Sequence, residues 1–446
     1  MQRNTMIGCL AFLLLPALCA VTTRKSTLLA DNWPQFRGPD GAGISAEKDL
    51  PAQWSDTVNL KWKTPLPGPG SSSPIVWGDR VIVTCYSGYG VEKDAGEPGQ
   101  LQRHLLCVSR KDGTILWQQA VDSAAKEDRY NGYITEHGYA SNTPATDGLR
   151  VYAFFGKTGV MAFDMEGKKL WQTSVGIMSG NRRWGSAASP ILYKDMVIVN
   201  AGDEDRTIYA LDKATGKVTW KAHGDQLDSA YGTPIVATGE GDQRELLLAV
   251  PGEIWGLNPD TGKLVWWAQS RLDGNICPGV VADKDNVYAF GGFPKTGSAA
   301  VRRKGQGDVT GTHLLWTADK GPYVPTPVLN GWYLYWLDDL GKACCMEAST
   351  GKMIFKESLQ IPGRGKLVYA GTVMANEQLY SVTRSGGTVV WAARPEFKEI
   401  ARNQFPSDTS DFNAVVALSG GAVFLRSNKF LYCVETARSA PVEKPR

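Results

Sequence analysis

Histidine is scarce in this chain, and the four that occur, His104, His137, His223 and His313, form no pair at metal-ligand spacing. No G-x-S-x-G elbow, P-loop or zinc-ribbon cysteine pattern is present, so hydrolase, nucleotide and structural-zinc readings have no anchor. An excess of one charge sign is also missing: 48 basic against 45 acidic residues leave a net +3. That balance argues against nucleic acid or an anionic membrane surface as a partner. The densest basic run, Arg302, Arg303 and Lys304, reads as a solvated loop. Asp203, Glu204 and Asp205 beside Arg206 offer carboxylates for a cation, but a solvated hairpin turn is the plainer expectation. Beyond the N-terminal region no apolar run approaches membrane-spanning length, and no low-complexity linker divides the chain.

The N-terminal region reads as a secretory signal. Arg3 supplies a basic start, Ile7 to Leu18 an apolar core, and Leu18-Cys19-Ala20 a cleavage site, with an alternative after Ala30. Residues 1–30 are therefore expected to be signal and cleavage region of an exported, soluble protein of the periplasm or cell envelope. A lipid anchor at Cys19 is not expected, because bacterial lipidation signals want a small residue before the cysteine and Leu18 is not small.

What is abundant is a repeated sentence. Tyr209 to Trp220 reads YALDKATGKVTW, and Trp255 to Trp266 reads WGLNPDTGKLVW. Leu106 to Trp117, Val160 to Trp171 and Cys344 to Phe355 are variants: an apolar strand, a turn, and an aromatic four residues after the turn glycine. The spacing of about 40 to 55 residues is that of propeller blades. A second signal precedes it. A small residue and proline open a strand at Ser73-Pro74, Thr143-Pro144, Ser189-Pro190, Thr233-Pro234, Cys277-Pro278 and Thr326-Pro327, with weaker versions near Gly371 and Asn413. Proline is tolerated there because its missing N–H breaks no ladder bond at a strand start.

Four strands per repeat and eight openings predict an all-β fold: an eight-bladed β-propeller of four-stranded antiparallel blades. The last repeat lacks its fourth strand. Asn59-Leu60-Lys61-Trp62 reads like the end of a repeat with no beginning, so pairing it with Phe430 to Val434 closes the ring and removes both open edges. The expected organisation is a signal region (1–30), an arm (31–57), the propeller (58–435) and a tail (436–446). Removal of the signal leaves Cys85, Cys107, Cys277, Cys344, Cys345 and Cys433. Six cysteines in an oxidising compartment can form disulfides that sequence alone does not assign. The register favours a plainer role: Cys107, Cys345 and Cys433 fall in the slot of Ala210, a small buried position.

The small-Pro strand followed by YALDxxTGxxxW resembles the repeat of pyrroloquinoline-quinone (PQQ) propellers. It is most similar to the compact eight-bladed group around the outer-membrane assembly factor BamB, over roughly Leu60 to Glu435. WPQFRGPDG and Gly305 to Trp316 resemble a secreted branch of that group. The resemblance implies two functions. BamB-like members dock other envelope proteins without a cofactor, whereas quinoprotein dehydrogenases use PQQ and calcium to oxidise alcohols or sugars. Many of the latter carry an adjacent-cysteine disulfide beside the cofactor. Cys344 and Cys345 sit in blade-strand slots instead, and no Glu/Asn/Asp set for calcium stands out. The reading is an exported non-catalytic scaffold, monomeric, with no cofactor and an envelope protein or peptide segment as partner. PQQ-dependent alcohol or sugar oxidation is the alternative, and another enzyme or a carbohydrate-binding role is a third.

The DxxTG turns are monotonous, so individuality lies on the opposite face. Its inter-blade loops carry His137 and Tyr139, Trp184, Tyr231, Tyr323, Tyr369 and Phe412, expected on the rim of one central funnel. Lys157, Arg384 and Arg426 should lie nearby, with Asp338 and Asp339. Aromatics with a polar handle are enriched at binding hot spots. For each residue singly, channel sealing or inter-blade packing is the competing expectation.

Overall fold

Each repeat folds into a four-stranded antiparallel sheet, and eight such sheets form a closed ring. The computed structural model describes residues 32–92, 95–239, 241, 243–385 and 387–436. The expected signal, with Cys9 and Cys19, and the tail from 437 onward lie outside the described residues. The third blade shows the pattern: Ile191–Tyr193, Met196–Ala201, Thr207–Asp212 and Val218–His223, from the channel outward. Leu60–Pro65 supplies the outer strand of the last blade, antiparallel to Phe430–Glu435, with Trp62 opposite Cys433. Both sheet edges of the ring are thereby paired.

The repeated aromatic is an inter-blade staple. The indoles of Trp62, Trp117, Trp171, Trp220 and Trp316 donate to the carbonyls of Arg110, Met165, Lys213, Pro259 and Ala348 in the turn of the next blade. Each indole lies flat on that turn's glycine: a Cβ on Gly216 would sit 2.6 Å from Trp171, and one on Gly262 2.3 Å from Trp220. Gly216 also has φ +70°, so the position demands glycine twice over. The side chain of Asp212 accepts from the Ala214 and Thr215 amides and fixes the turn that presents it. The staple fails at Trp266, whose N–H bonds Glu245. The next blade carries the Gly305–His313 insertion instead of a tight turn, and Gly307–Asp308 adds as a parallel strand beside Trp266 and Trp267.

The small-Pro signal has a second role at the channel. The Ser73 amide donates to Thr143 Oγ1, Thr143 to Ser189 Oγ, Ser189 to Thr233 Oγ1, Gly279 to Thr326 Oγ1, and Val415 back to Ser73 Oγ. Hydroxyls before proline thus sew neighbouring blades together around the axis, each satisfying a buried amide.

The arm crosses the channel mouth on the DxxTG side. Trp33 bridges to Val76, Pro34 accepts from Thr146, and Gln35 accepts from Leu192. The buried Arg37 guanidinium donates to the carbonyls of Thr326, Pro327 and Thr372. Ile44–Ser45 then joins Val373–Ala375 in parallel, and Glu47 accepts from the Gly420 and Gly421 amides. This mouth of the channel is plugged.

Three residues of the two charged runs differ from expectation. Arg303 is not solvated: it is 2% exposed and donates to Glu245 and to the carbonyls of Ala237, Thr238 and Asp283. Asp203 and Glu204 are 6% and 1% exposed, in a single helical turn, Gly202–Asp205, packed against the segment Asp225–Ser229. Arg303, Asp203 and Glu204 are buried by the closed ring where an isolated hairpin would leave them wet, whereas Arg302 is exposed as expected.

Candidate functional site

The inter-blade loops of the open face converge on a dead-end pocket at the ring axis, about 150 Å³ in volume. Its floor is Phe36 of the arm and the hydroxyl ring of Ser73, Thr233 and Thr326. Its wall carries Tyr133, His137, Trp184, Tyr231, Cys277 and Tyr369. Trp184 stacks on Tyr231 (5.4 Å between centroids, 29°) and on Tyr133 (4.5 Å, 25°). Tyr133 also meets Tyr323 and Tyr369 edge-on, at 6.5 and 6.2 Å. Two cations cover the outer rings: Arg384 lies 4.9 Å from the Tyr369 centroid, and Lys366 4.9 Å from that of Tyr323. Arg384 is held by Glu136 and Asp411, so the rim charge is paired.

Of the residues expected at the funnel, His137, Trp184, Tyr231 and Tyr369 line the pocket, and Tyr323 touches it through Tyr133. Burial pulls the His137 imidazole down to about 4, so it is neutral at ordinary pH; its Nδ1 bonds Ser141 Oγ. Four residues stand elsewhere. Tyr139 is buried against Tyr86, Tyr89 and Tyr130 and donates to the Asp128 carbonyl. Phe412 packs on Tyr432 in the core of the last blade. Lys157 points into a side crevice and pairs with Asp128. Arg426 is fully buried and donates to the Thr84 carbonyl, tying the last blade to the first. Asp338 and Asp339 are loop-formers: Asp339 accepts from the Tyr323 and Val324 amides and Asp338 from Leu340 and Lys342. Counting back from each strand start found the short loops. It missed Tyr133, which stands six residues before Tyr139 in a longer connection, although the Tyr-Asn-Gly-Tyr run (130–133) marks a turn flanked by aromatics.

The acidic groups form a separate crevice beside the pocket, lined by Arg103, Glu127, Asp128, Lys157, Asp203 and Glu204. Burial, with Asp128 close by, pushes the Asp203 carboxyl up to about 7, and burial raises Glu204 well above the usual range. PQQ with calcium needs an open planar floor and converging oxygen ligands. Trp184 is stacked against by both Tyr133 and Tyr231, and among the described residues no three His, Cys, Asp or Glu side chains are placed to hold a metal ion, those of the side crevice included. In this arrangement the residues do not fit that pair. All six cysteines of the described residues are free thiols. Cys344 and Cys345 are buried in a blade strand, and only Cys277 reaches the pocket.

A family described as outer membrane protein assembly factor BamB matches residues 45–183, 102–339 and 303–429. The chain belongs to that family. It is 25% identical over 266 residues to a polyvinylalcohol dehydrogenase of Sphingopyxis sp., covering 50% of this chain and 37% of that protein. It is 28% identical over 177 residues to a 1-butanol dehydrogenase (quinone) of Thauera butanivorans, covering 36% of this chain and 27% of the relative. The matches thus span well under half the length of these relatives. Among solved structures, BamB from Moraxella catarrhalis superposes with TM-score 0.59 at 13% identity, covering 85% of this chain and 98% of that one. Quinohemoprotein alcohol dehydrogenase from Comamonas testosteroni superposes with TM-score 0.57 at 12% identity, covering 95% and 83%. At these identities the structures speak for the fold alone.

Proposed function

We propose that this chain is an exported, non-catalytic propeller that docks an envelope protein, or a peptide segment of one, on the face carrying Trp184, Tyr231, Tyr323 and Tyr369. The observation that carries this reading is the pocket itself: aromatic walls, a plugged floor, and rim charges already paired with one another. Such a surface offers a few large anchors in a fixed setting, which is how docking sites concentrate their energy. Membership in the BamB family supports it. Trp184→Ala with Tyr369→Ala should abolish capture of an envelope partner by the mature protein and leave its melting temperature within a few degrees. Undiminished capture would refute the assignment of the face. The second reading, quinone-dependent alcohol oxidation, is favoured by the names of the sequence relatives. Dye-linked oxidation of an alcohol that appears on adding PQQ and calcium would establish it in place of the first.

A further inference from the structure

We infer that the pocket is a cage for one aromatic side chain of the partner, a tyrosine above all, and that Tyr133 is its resident stand-in. This deepens the docking reading and rests on it. Tyr133 contributes nothing to any blade. Its ring nevertheless stacks on Trp184 and meets Tyr323 and Tyr369 edge-on, the geometry in which an incoming aromatic would be held. The fit is incomplete at the polar end. The Tyr133 hydroxyl lies beside that of Tyr369 but makes no hydrogen bond of regular geometry, and the buried Tyr231 hydroxyl and Asn275 Oδ1 are also unpartnered. A native occupant of the cage would be expected to satisfy such groups.

The segment that carries Tyr133 is tied down on either side of it, which leaves the ring itself as the movable part. Its flanks are anchored: Arg103 pairs with Glu127, Lys157 with Asp128, and Arg384 with Glu136. Between them the tip is exposed at Asn131, Gly132 and Thr135, while Ile134 is buried with Tyr86, Leu101 and Tyr139 and the Glu136 carbonyl accepts from Asn413, so opening of the cage is a swing of the Tyr133 ring rather than of the whole segment. Gly132 and Gly138, both at positive φ, bound the tip. Arg384 spans wall and tip, covering Tyr369 while gripping Glu136, so it acts as a latch. A ligand that needs the open state binds more weakly by the fraction of time the cage is open.

The free tyrosine side chain, p-cresol, is the probe, titrated into the mature protein by calorimetry. Tyr133→Ala should bind p-cresol at least ~10-fold more tightly than the wild type, and Tyr133→Ala with Trp184→Ala should lose that binding. Glu136→Ala keeps every cage ring and removes the carboxylate that Arg384 grips, so it should also bind p-cresol more tightly than the wild type. Folded Tyr133→Ala no better than the wild type overturns the cage. If Tyr133→Ala does not fold, Glu136→Ala with wild-type affinity overturns it. The docking reading fails separately, when p-cresol binds as described but Trp184→Ala with Tyr369→Ala leaves partner capture unchanged.

Discussion

Replacing Asp203 by asparagine should make the protein more stable at alkaline pH and less stable in acid. Asp203 is 6% exposed, and neither carboxylate oxygen has a hydrogen bond of regular geometry, although the Gly180 amide lies close. Burial is the main cause that lifts its pKa from 3.8 to about 7; Asp128 and Asp228 add repulsion, while Lys157 and the Gly180 amide pull the other way. The folded protein therefore keeps a proton that the unfolded chain releases near pH 4. Between about pH 4 and 7 the unfolded state binds fewer protons, so stability falls as pH rises through that window and levels off above it. At roughly 1.4 kcal/mol per pH unit, the gap corresponds to about 4 kcal/mol. Asparagine carries no such penalty, but its buried amide needs partners and costs about 1–3 kcal/mol without them. The net expectation is a gain of about 1–3 kcal/mol near pH 8 and a loss of similar size near pH 4. Glu204, raised in the same direction by burial and by Asp203, keeps some slope in the variant. Urea unfolding followed by tryptophan fluorescence across this range measures both curves. Parallel curves, with a constant difference between wild type and variant, would refute the buried-carboxyl account.

Removing residues 58–64 should unzip the last blade, because Leu60–Pro65 is its outer strand, and the product should unfold or aggregate; a monomer that melts at the full-length temperature would contradict this. Trp220→Ala should cost about 3–5 kcal/mol as a large emptied core site, and Trp220→Phe about 1 kcal/mol for the lost indole bond to Pro259. Losses under about 1 kcal/mol for both, measured by chemical denaturation, would mean that the staple does not hold the blades. Among the six thiols Cys277 should be alkylated first in the native protein, since the other five are buried in blade strands. Burial lifts its thiol to about 12, so its labelling rate should keep climbing as pH rises towards that value; prior labelling of Cys107 or Cys345, or a mapped Cys344–Cys345 disulfide, would overturn the assignment.

The architecture was legible because one physical problem recurs at five of the blade junctions. A tight turn must present a bare glycine to the tryptophan of the preceding blade, so a turn glycine followed four residues later by an aromatic returns in register. The deviations were legible for the same reason: Phe355, which has no N–H to donate, packs on Trp391 and Phe397 of an irregular next blade. The hydroxyl ring was in view but misattributed. Ser and Thr before proline were read as small residues at a strand start, whereas their oxygens bridge blades, a contact that exists only once the ring has closed. The burial of Arg303, Asp203 and Glu204 is hidden from the sequence for a similar reason. Solvation of Arg303 or Asp203 is decided by elements far away in sequence, Glu245 and Asp283 for one, Gly180 and Asp228 for the other.

The pocket was only half legible, and the half that was missed explains its character. An aromatic just before a strand start can reach the axis of a closed ring, and Trp184, Tyr231, Tyr323 and Tyr369 do, whereas Tyr139 and Phe412 at like positions pack into other aromatic clusters. What fills the space between them does not follow from register. The floor comes from Phe36, in an arm that belongs to no repeat, and the centre from Tyr133, in a connection longer than its counterparts. Repeats supply the walls and non-repeating segments supply the stopper at each end. A through-channel lined by the same walls would be open to solvent at both ends. Plugged below and covered above by a segment held through Arg384 and Glu136, those walls become a chamber whose occupancy depends on a single loop.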